Sequence, residues 1–330
     1  MERVTPKSHV CNCLFRKKHF PLVTGEKNQL SQQTFKIYPK APFDFELNCK
    51  VFGFDKPMPE VFENKIWRRA ISLTSGKLVP VELRSLGTVD KPEIEVKHYL
   101  PITEQEKTEL THVLDEIFSF SQDLTSLYTF MDKDLVLKNL KNRFYGLKAG
   151  SIGTTVFEHI VKSIIQQQIS IRVAFSITNK MITRFSEQTK SGETVFYDFP
   201  TPKKFAETSL EDIRNCGVSW KKAEYIKTVA EKTVDGGFDP ESLRLLTNER
   251  VAEMLTKFRG IGTWTAEMVL SAGLKRSASI PAGDLGVRRT FSSFYSDGEI
   301  LSEAQVRKIA ASWGEHTKDI VYYISCIERV

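Results

Sequence analysis

The stretch that most constrains the fold is Phe258–Asp284, FRGIGTWTAEMVLSAGLKRSASIPAGD. Its Arg259-Gly260-Ile261-Gly262 turn stands between two segments of helical periodicity. Val251, Met254, Leu255 and Phe258 recur at spacings of three and four upstream, and Trp264, Met268 and Ala272 do so downstream. Two glycines two apart permit a sharp turn at positive φ and leave no side chain over it. Residues 249–273 are therefore expected to form a helical hairpin. The first amides of its second helix lack partners within that helix, which makes the turn an anion site suited to a phosphate. Further on, Asp284 follows Pro281-Ala282-Gly283 where another helix should begin. A phosphate grip with a lone carboxylate at fixed spacing beyond it points to chemistry on DNA.

The rest of the chain is compatible with that. At 330 residues it has length for two or three domains with cores of their own. The net charge of +6 is a mild bias toward a polyanionic partner and carries little by itself. Nowhere do eighteen consecutive apolar residues occur, so no membrane-spanning helix is expected. The N-terminus has no apolar core of a secretory signal, although residues 1–20 are basic enough to resemble a transit peptide. A cytoplasmic or nucleoid location, or a nuclear one in a eukaryote, is the expectation. Five scattered cysteines give an odd count, and Cys11-Asn12-Cys13 has only His9 and His19 near it. A reduced tail is the simpler account than a zinc site.

Residues 1–34 lack sustained periodicity and read as a flexible extension. From residue 35 to 123 the pattern is α+β. Alternating runs at Phe35–Tyr38, Phe43–Leu47, Ala70–Leu73, Leu78–Leu83 and Ile94–Val96 predict an antiparallel sheet with one packed face. A short turn of helix is expected after Pro57-Met58-Pro59. Thr103 with Glu106 forms a capping box for a helix whose stripe runs Leu110, Val113, Leu114, Ile117 and Phe118. From 124 to 330 the spacing predicts helices throughout. Residues 155–284 should form a central unit, and 124–154 with 285–330 a second one.

The motif Gly260-Ile261-Gly262-Thr263-Trp264-Thr265-Ala266, followed by Pro281 to Asp284, resembles the helix-hairpin-helix and Gly/Pro-Asp signature of the HhH-GPD DNA glycosylases. Phe199-Pro200-Thr201-Pro202, Lys222-Ala223-Glu224 and Gln167-Gln168-Ile169-Ser170 extend the likeness. Within the superfamily the chain from about Phe35 onward is similar to the AlkA-type 3-methyladenine DNA glycosylase II group. The resemblance implies a TBP-like N-terminal antiparallel sheet with helices, then an all-α glycosylase core with its cleft between two helical domains. It also implies double-stranded DNA with alkylated bases as the partner, and a monomer that needs no cofactor.

The chemistry follows from residue types as well. Cleaving an N-glycosidic bond passes through an oxocarbenium-like state, which a carboxylate stabilises while it aligns or deprotonates the attacking water. Asp284 suits both roles, although any isolated Gly-Asp-Leu is also an ordinary helix N-cap. The resemblance places a Schiff-base lysine of the bifunctional enzymes at the position of Trp264. An indole has no amine, which predicts a monofunctional enzyme that leaves an abasic site. The indole also suits stacking on a cationic base. Met268 is expected in the pocket, and so is His316, which stands where the group has an aromatic after Trp313. Gln168 falls where the superfamily inserts a side chain into the gap left by a flipped base.

Arg259 and Lys257, with the backbone of Gly260, Gly262 and Thr263, are the expected phosphate contacts, and Lys221, Lys222 and Lys227 are weaker candidates. The resemblance further implies a cation held by the hairpin carbonyls of Phe258 and Ile261; no other metal is expected. The four-cysteine iron–sulfur loop of the endonuclease III branch is not expected after Cys326. Two readings compete with alkylpurine excision. One is a helix-hairpin-helix glycosylase for oxidised or deaminated bases, and the other a non-catalytic protein that uses the hairpin only to hold DNA.

Overall fold

The computed structural model describes residues 33–51, 58–151, 153–276, 279–296 and 298–327. Residues 1–32, with the Cys11–Cys13 pair and the transit-like stretch, lie outside them. The N-terminal part is a five-stranded antiparallel sheet built from β1 (Gln33–Ile37), β2 (Val61–Glu63), β3 (Ile66–Ser72), β4 (Leu78–Ser85) and β5 (Ile94–His98), in the order β1-β5-β4-β3-β2. One face buries Trp67, Ile71, Val79, Val81, Leu83, Ile94 and Val96 against a helix, as the alternation requires. That helix, α2 (Glu104–Phe118), presents Leu110, Leu114, Ile117 and Phe118, and its Thr103–Glu106 capping box is formed in both directions.

Two expectations fail here. Phe43–Leu47 is not a strand: Phe45–Lys50 is a helix, α1, begun by Asp44, whose carboxylate accepts the Leu47 amide at 2.9 Å. A helix of six residues is too short to show its period, so Phe-Asp-Phe-Glu-Leu mimics alternation. The segment after Pro59 is not a helical turn but strand β2, which pairs with β3.

The remainder is mainly helical. In order come α3 (Thr125–Met131), α4 (Leu135–Arg143), α5 (Val156–Gln166), α6 (Ile171–Phe185), α7 (Pro202–Glu207), α8 (Leu210–Asn215), α9 (Trp220–Val234), α10 (Asn248–Thr256), α11 (Thr263–Met268), α12 (Leu285–Tyr295), α13 (Glu303–Ala311) and α14 (Thr317–Cys326). A hairpin, β6 (Gln188–Ser191) and β7 (Thr194–Tyr197), interrupts them and corrects the all-α expectation; β7 packs against β3 and β6 against β4. One hydrophobic cluster is drawn from residues 156–274, and a second joins Val51 and residues 124–147 to 280–327. The chain thus crosses between the two clusters just before Asp284.

The sheet meets the helices at a buried charge cluster. Arg69 of β3 donates to Glu60 (2.7 Å), Glu158 of α5 (3.0 Å) and Asp198 after β7 (2.9 Å), and Lys162 pairs with Glu158 at 2.6 Å. Burial alone would lower the Arg69 pKa, but Glu158, Glu60 and Asp198 outweigh it and raise it. Burial also opposes the Glu158 charge, yet Arg69 and Lys162 hold its pKa down to about 2. Beside it, burial pushes His159 down to about 3, a neutral ring whose Nε2 lies 2.7 Å from Ser151 Oγ. At the border before α3, Lys148 donates to the carbonyls of Lys40, Phe120 and Gln122 at 2.8, 2.9 and 2.7 Å, and burial lowers its pKa to about 8.

Candidate active site and DNA-binding hairpin

The turn between α10 and α11 is closed by two backbone bonds, Phe258 N–H to Leu255 O (3.1 Å) and Ile261 N–H to Phe258 O (3.0 Å). Ile261 is buried and anchors the turn in the central core. The two glycines serve different needs. Gly260 has φ +85°, and a Cβ there would lie 2.0 Å from the Tyr225 ring of α9, so both backbone and space demand glycine. Gly262 has an ordinary φ of −97°, and a Cβ there would meet nothing within 4 Å. Packing does not require glycine at 262; what it keeps clear is the outer side of the turn. No side chain caps α11, and Gly262 and Thr263 are exposed there.

Among the basic candidates, Arg259 and Lys257 are exposed beside the turn, and Lys257 pairs with Glu253 at 3.0 Å. An exposed pair of this kind is weak and readily exchanged for a phosphate. Two other candidates are corrected. Lys222 donates to the carbonyls of Ile165 (2.8 Å) and Gln167 (2.6 Å), and Lys227 to those of Ala206 (2.6 Å) and Thr208 (2.9 Å). Both ammonium groups are spent on internal backbone, while Lys221 remains exposed. As for a hairpin cation, the Phe258 carbonyl already accepts the Ile261 amide and keeps one lone pair. Among the described residues no cluster of three or more His, Cys, Asp or Glu is suited to a metal. The donors at the turn are therefore neutral carbonyls, a set that fits a hard, weakly charged cation.

Trp264 and Asp284 meet across the two hydrophobic clusters. The indole Nε1–H donates to Asp284 Oδ2 at 3.1 Å. Oδ1 accepts the Val287 amide at 3.0 Å, so Asp284 is the N-cap of α12 as well as the indole's acceptor. Buried Ile280 and Ala282 fix the approach, and the Asp284 amide closes a turn onto Pro281 O at 2.9 Å. The side chain is half-buried, which leaves the carboxylate reachable from the cleft. Gly286 matters to that: a Cβ there would sit 3.0 Å from Oδ1. Across the same junction Arg307 of α13 donates to Glu267 of α11 at 2.6 Å.

Of the other candidates, Gln168 lies in the loop between α5 and α6, exposed and at φ +56°. Met268 is half-buried at the end of α11. His316 rests 5.1 Å from the Phe130 ring and 3.4 Å from Ser126 Oγ, both on α3. Among the described residues no hydrogen bond joins Met268 or His316 to Trp264 or Asp284. Sequence reasoning left Gln167 without a role; its amide donates to Gly260 O (2.8 Å) and Thr265 Oγ1 (3.0 Å). The available signal was an amide run closing an apolar helix, since a polar side chain there requires partners.

The family model of the HhH-GPD superfamily base excision DNA repair proteins matches residues 161–316, a span that holds the Gln168 loop, the hairpin and Asp284. A solved 3-methyladenine DNA glycosylase from Archaeoglobus fulgidus is 38% identical, with a TM-score of 0.82 over 89% of this chain and 98% of that one. The chain belongs to the HhH-GPD superfamily, as the resemblance implied. Among its relatives are a DNA-3-methyladenine glycosylase of Bacillus subtilis (strain 168), 25% identical over 68% of this chain and 74% of that protein, and DNA-3-methyladenine glycosylase 1 of Schizosaccharomyces pombe, 32% identical over 46% and 63%.

Proposed function

We propose that the protein is a monofunctional base-excision-repair glycosylase that hydrolyses the N-glycosidic bond of alkylated purines of the 3-methyladenine and 7-methylguanine type. The observation that carries this reading is the Trp264–Asp284 hydrogen bond, which joins a carboxylate to an indole where a lyase needs an amine. A base alkylated on the ring carries positive charge and departs with the bonding electron pair as a neutral purine. The sugar left behind is oxocarbenium-like, and the Asp284 carboxylate stabilises it electrostatically. Water adds its oxygen to the anomeric carbon and releases a proton to Asp284 or solvent, leaving an abasic site. The bond to the indole orients Oδ2, and the cap bond to Val287 orients Oδ1.

The rest of the site fits this role. Trp264, with Met268 and His316, would line the pocket for the extruded base, and Gln168 would fill the gap in the stack. Gly260, Gly262 and Thr263 would hold a phosphate through their amides, with Arg259 and Lys257 beside them. The likeness to glycosylases named for 3-methyladenine favours alkylpurines over oxidised or deaminated bases. The protein would act as a monomer on double-stranded DNA.

The test is to incubate the protein with methylated genomic DNA and identify the released bases by chromatography. 3-Methyladenine and 7-methylguanine are expected, and release of oxidised bases alone would overturn the specificity. Asp284→Asn should lower excision by about 10²–10³-fold with DNA binding kept. Borohydride should trap no covalent adduct.

A further inference from the structure

Gln168, the residue read above as the wedge, has an exposed side chain on a left-handed backbone, φ +56°. A residue with a Cβ persists there only when its surroundings hold it, because the conformation is sparsely populated. Those surroundings come from three elements. On the N-terminal side, the Lys222 ammonium of α9 binds Ile165 O in the last turn of α5 and Gln167 O at its C-cap, at 2.8 and 2.6 Å. The Gln167 side chain turns the other way and donates to Gly260 O and Thr265 Oγ1 of the hairpin. On the C-terminal side, half-buried Ile169 packs on the central core, and Ser170 caps α6. α9 also sets the hairpin itself, since its Tyr225 ring fills the space a Cβ on Gly260 would occupy.

We infer that Lys222 and Gln167 are positioning residues that lock the Gln168 loop to the hairpin, so that wedge and phosphate grip engage DNA at a fixed separation. The inference rests on the wedge reading of Gln168. Lys222 draws the loop's carbonyls onto α9, where a cation also suits the C-terminal end of the α5 dipole. Gln167 takes its side chain to the hairpin carbonyl, and Gln168 projects outward between two anchored residues, Gln167 and Ile169. A loop free to rotate about 167–168 would lose insertion into the stack. It would keep the carboxylate and the pocket, because neither Trp264 nor Asp284 bonds to this loop in the described contacts.

A wedge matters only while a base must be kept out of a duplex. The test therefore compares excision of one alkylated base from an oligonucleotide presented as a duplex and as a single strand. It uses the full chain and the variants Lys222→Met, Gln167→Leu, Lys222→Arg and Gln168→Ala. Lys222→Met and Gln167→Leu should each reduce the duplex-to-single-strand ratio about tenfold, as should Gln168→Ala, whereas Lys222→Arg, which still donates, should keep it. Fluorescence of 2-aminopurine beside the lesion, in an Asp284→Asn background, should show the same loss of unstacking without turnover. Equal loss on both substrates, or an unchanged ratio, in Lys222→Met and Gln167→Leu while Gln168→Ala is impaired overturns this inference alone. An unchanged ratio in Gln168→Ala overturns the wedge reading and the inference with it. If Lys222→Met does not fold, Gln167→Leu carries the same test.

Discussion

Where the N-terminal sheet meets the helices, Arg69 lies fully buried among Glu60, Glu158 and Asp198; where the two helical clusters meet, Asp284 stays half-buried and is held by one indole and one amide. Both junctions place carboxylates between separate cores. The first satisfies them with a cation and closes out water, whereas the second leaves lone pairs available to a reaction. Buried ion pairs contribute little net stability, because desolvation offsets attraction, but removing one partner strands the others. Arg69 Nε and Glu60 Oε2 are buried without a hydrogen-bond partner, which fits a cluster retained for its geometry. The Asp284 junction is closed at its rim by Arg307–Glu267, an ion pair with Arg307 40% exposed, and so gives way more readily.

This contrast can be broken in order of effect. Arg69→Met should destabilise the protein by about 3–5 kcal/mol in denaturant unfolding, since two or more carboxylates lose their counter-charge. A loss below 1 kcal/mol would place the first junction in the class of the second. Trp264→Phe should lower stability by no more than about 1.5–3 kcal/mol, the worth of a hydrogen bond to a charged acceptor, and slow excision roughly ten- to a hundredfold. At the turn, Gly260→Ala should cost about 1–3 kcal/mol of stability through φ strain and the Tyr225 clash. Gly262→Ala should cost under about 0.5 kcal/mol yet weaken DNA binding, read in a salt titration.

His159 is held at about 3 in the folded protein against 6.5 as its ordinary value, so the unfolded chain binds the extra proton. Stability should fall as pH drops from 6.5 toward 3, by up to about 1.4 kcal/mol per unit. Glu158, at about 2 against 4.5, adds stability that is present above pH 4.5 and lost below it. His159→Gln should flatten the profile between pH 6.5 and 4.5 and leave the lower fall in place. An unchanged profile would mean that the ring titrates normally.

Local signals were legible in the sequence, and tertiary ones were not. The Thr103–Glu106 box and the hairpin glycines act within a few residues, so their residue types announce them. The β6–β7 hairpin escaped notice because Gln-Thr-Lys-Ser carries no apolar alternation, its packing on β3 and β4 being decided elsewhere in the chain. Lys222 and Lys227 read as candidate phosphate contacts, but a long aliphatic stem lets an ammonium reach carbonyls on a neighbouring element. The Trp264 and Asp284 positions were readable from their motif, but their mutual bond spans twenty residues and two cores.

Lys148 has a mechanical consequence. Residue 123 looks like the border where a multidomain chain would carry its hinge. The Lys148 ammonium sits on that border and gathers one carbonyl from just after β1 and two from after α2. It works as a splint of hydrogen bonds to neutral carbonyls, so swinging the sheet away from the helices would expose a charge and three acceptors together. On the proposed base-extrusion reading, a substrate cannot count on that joint to open, and the give would come from the DNA and from the rim of the Asp284 junction.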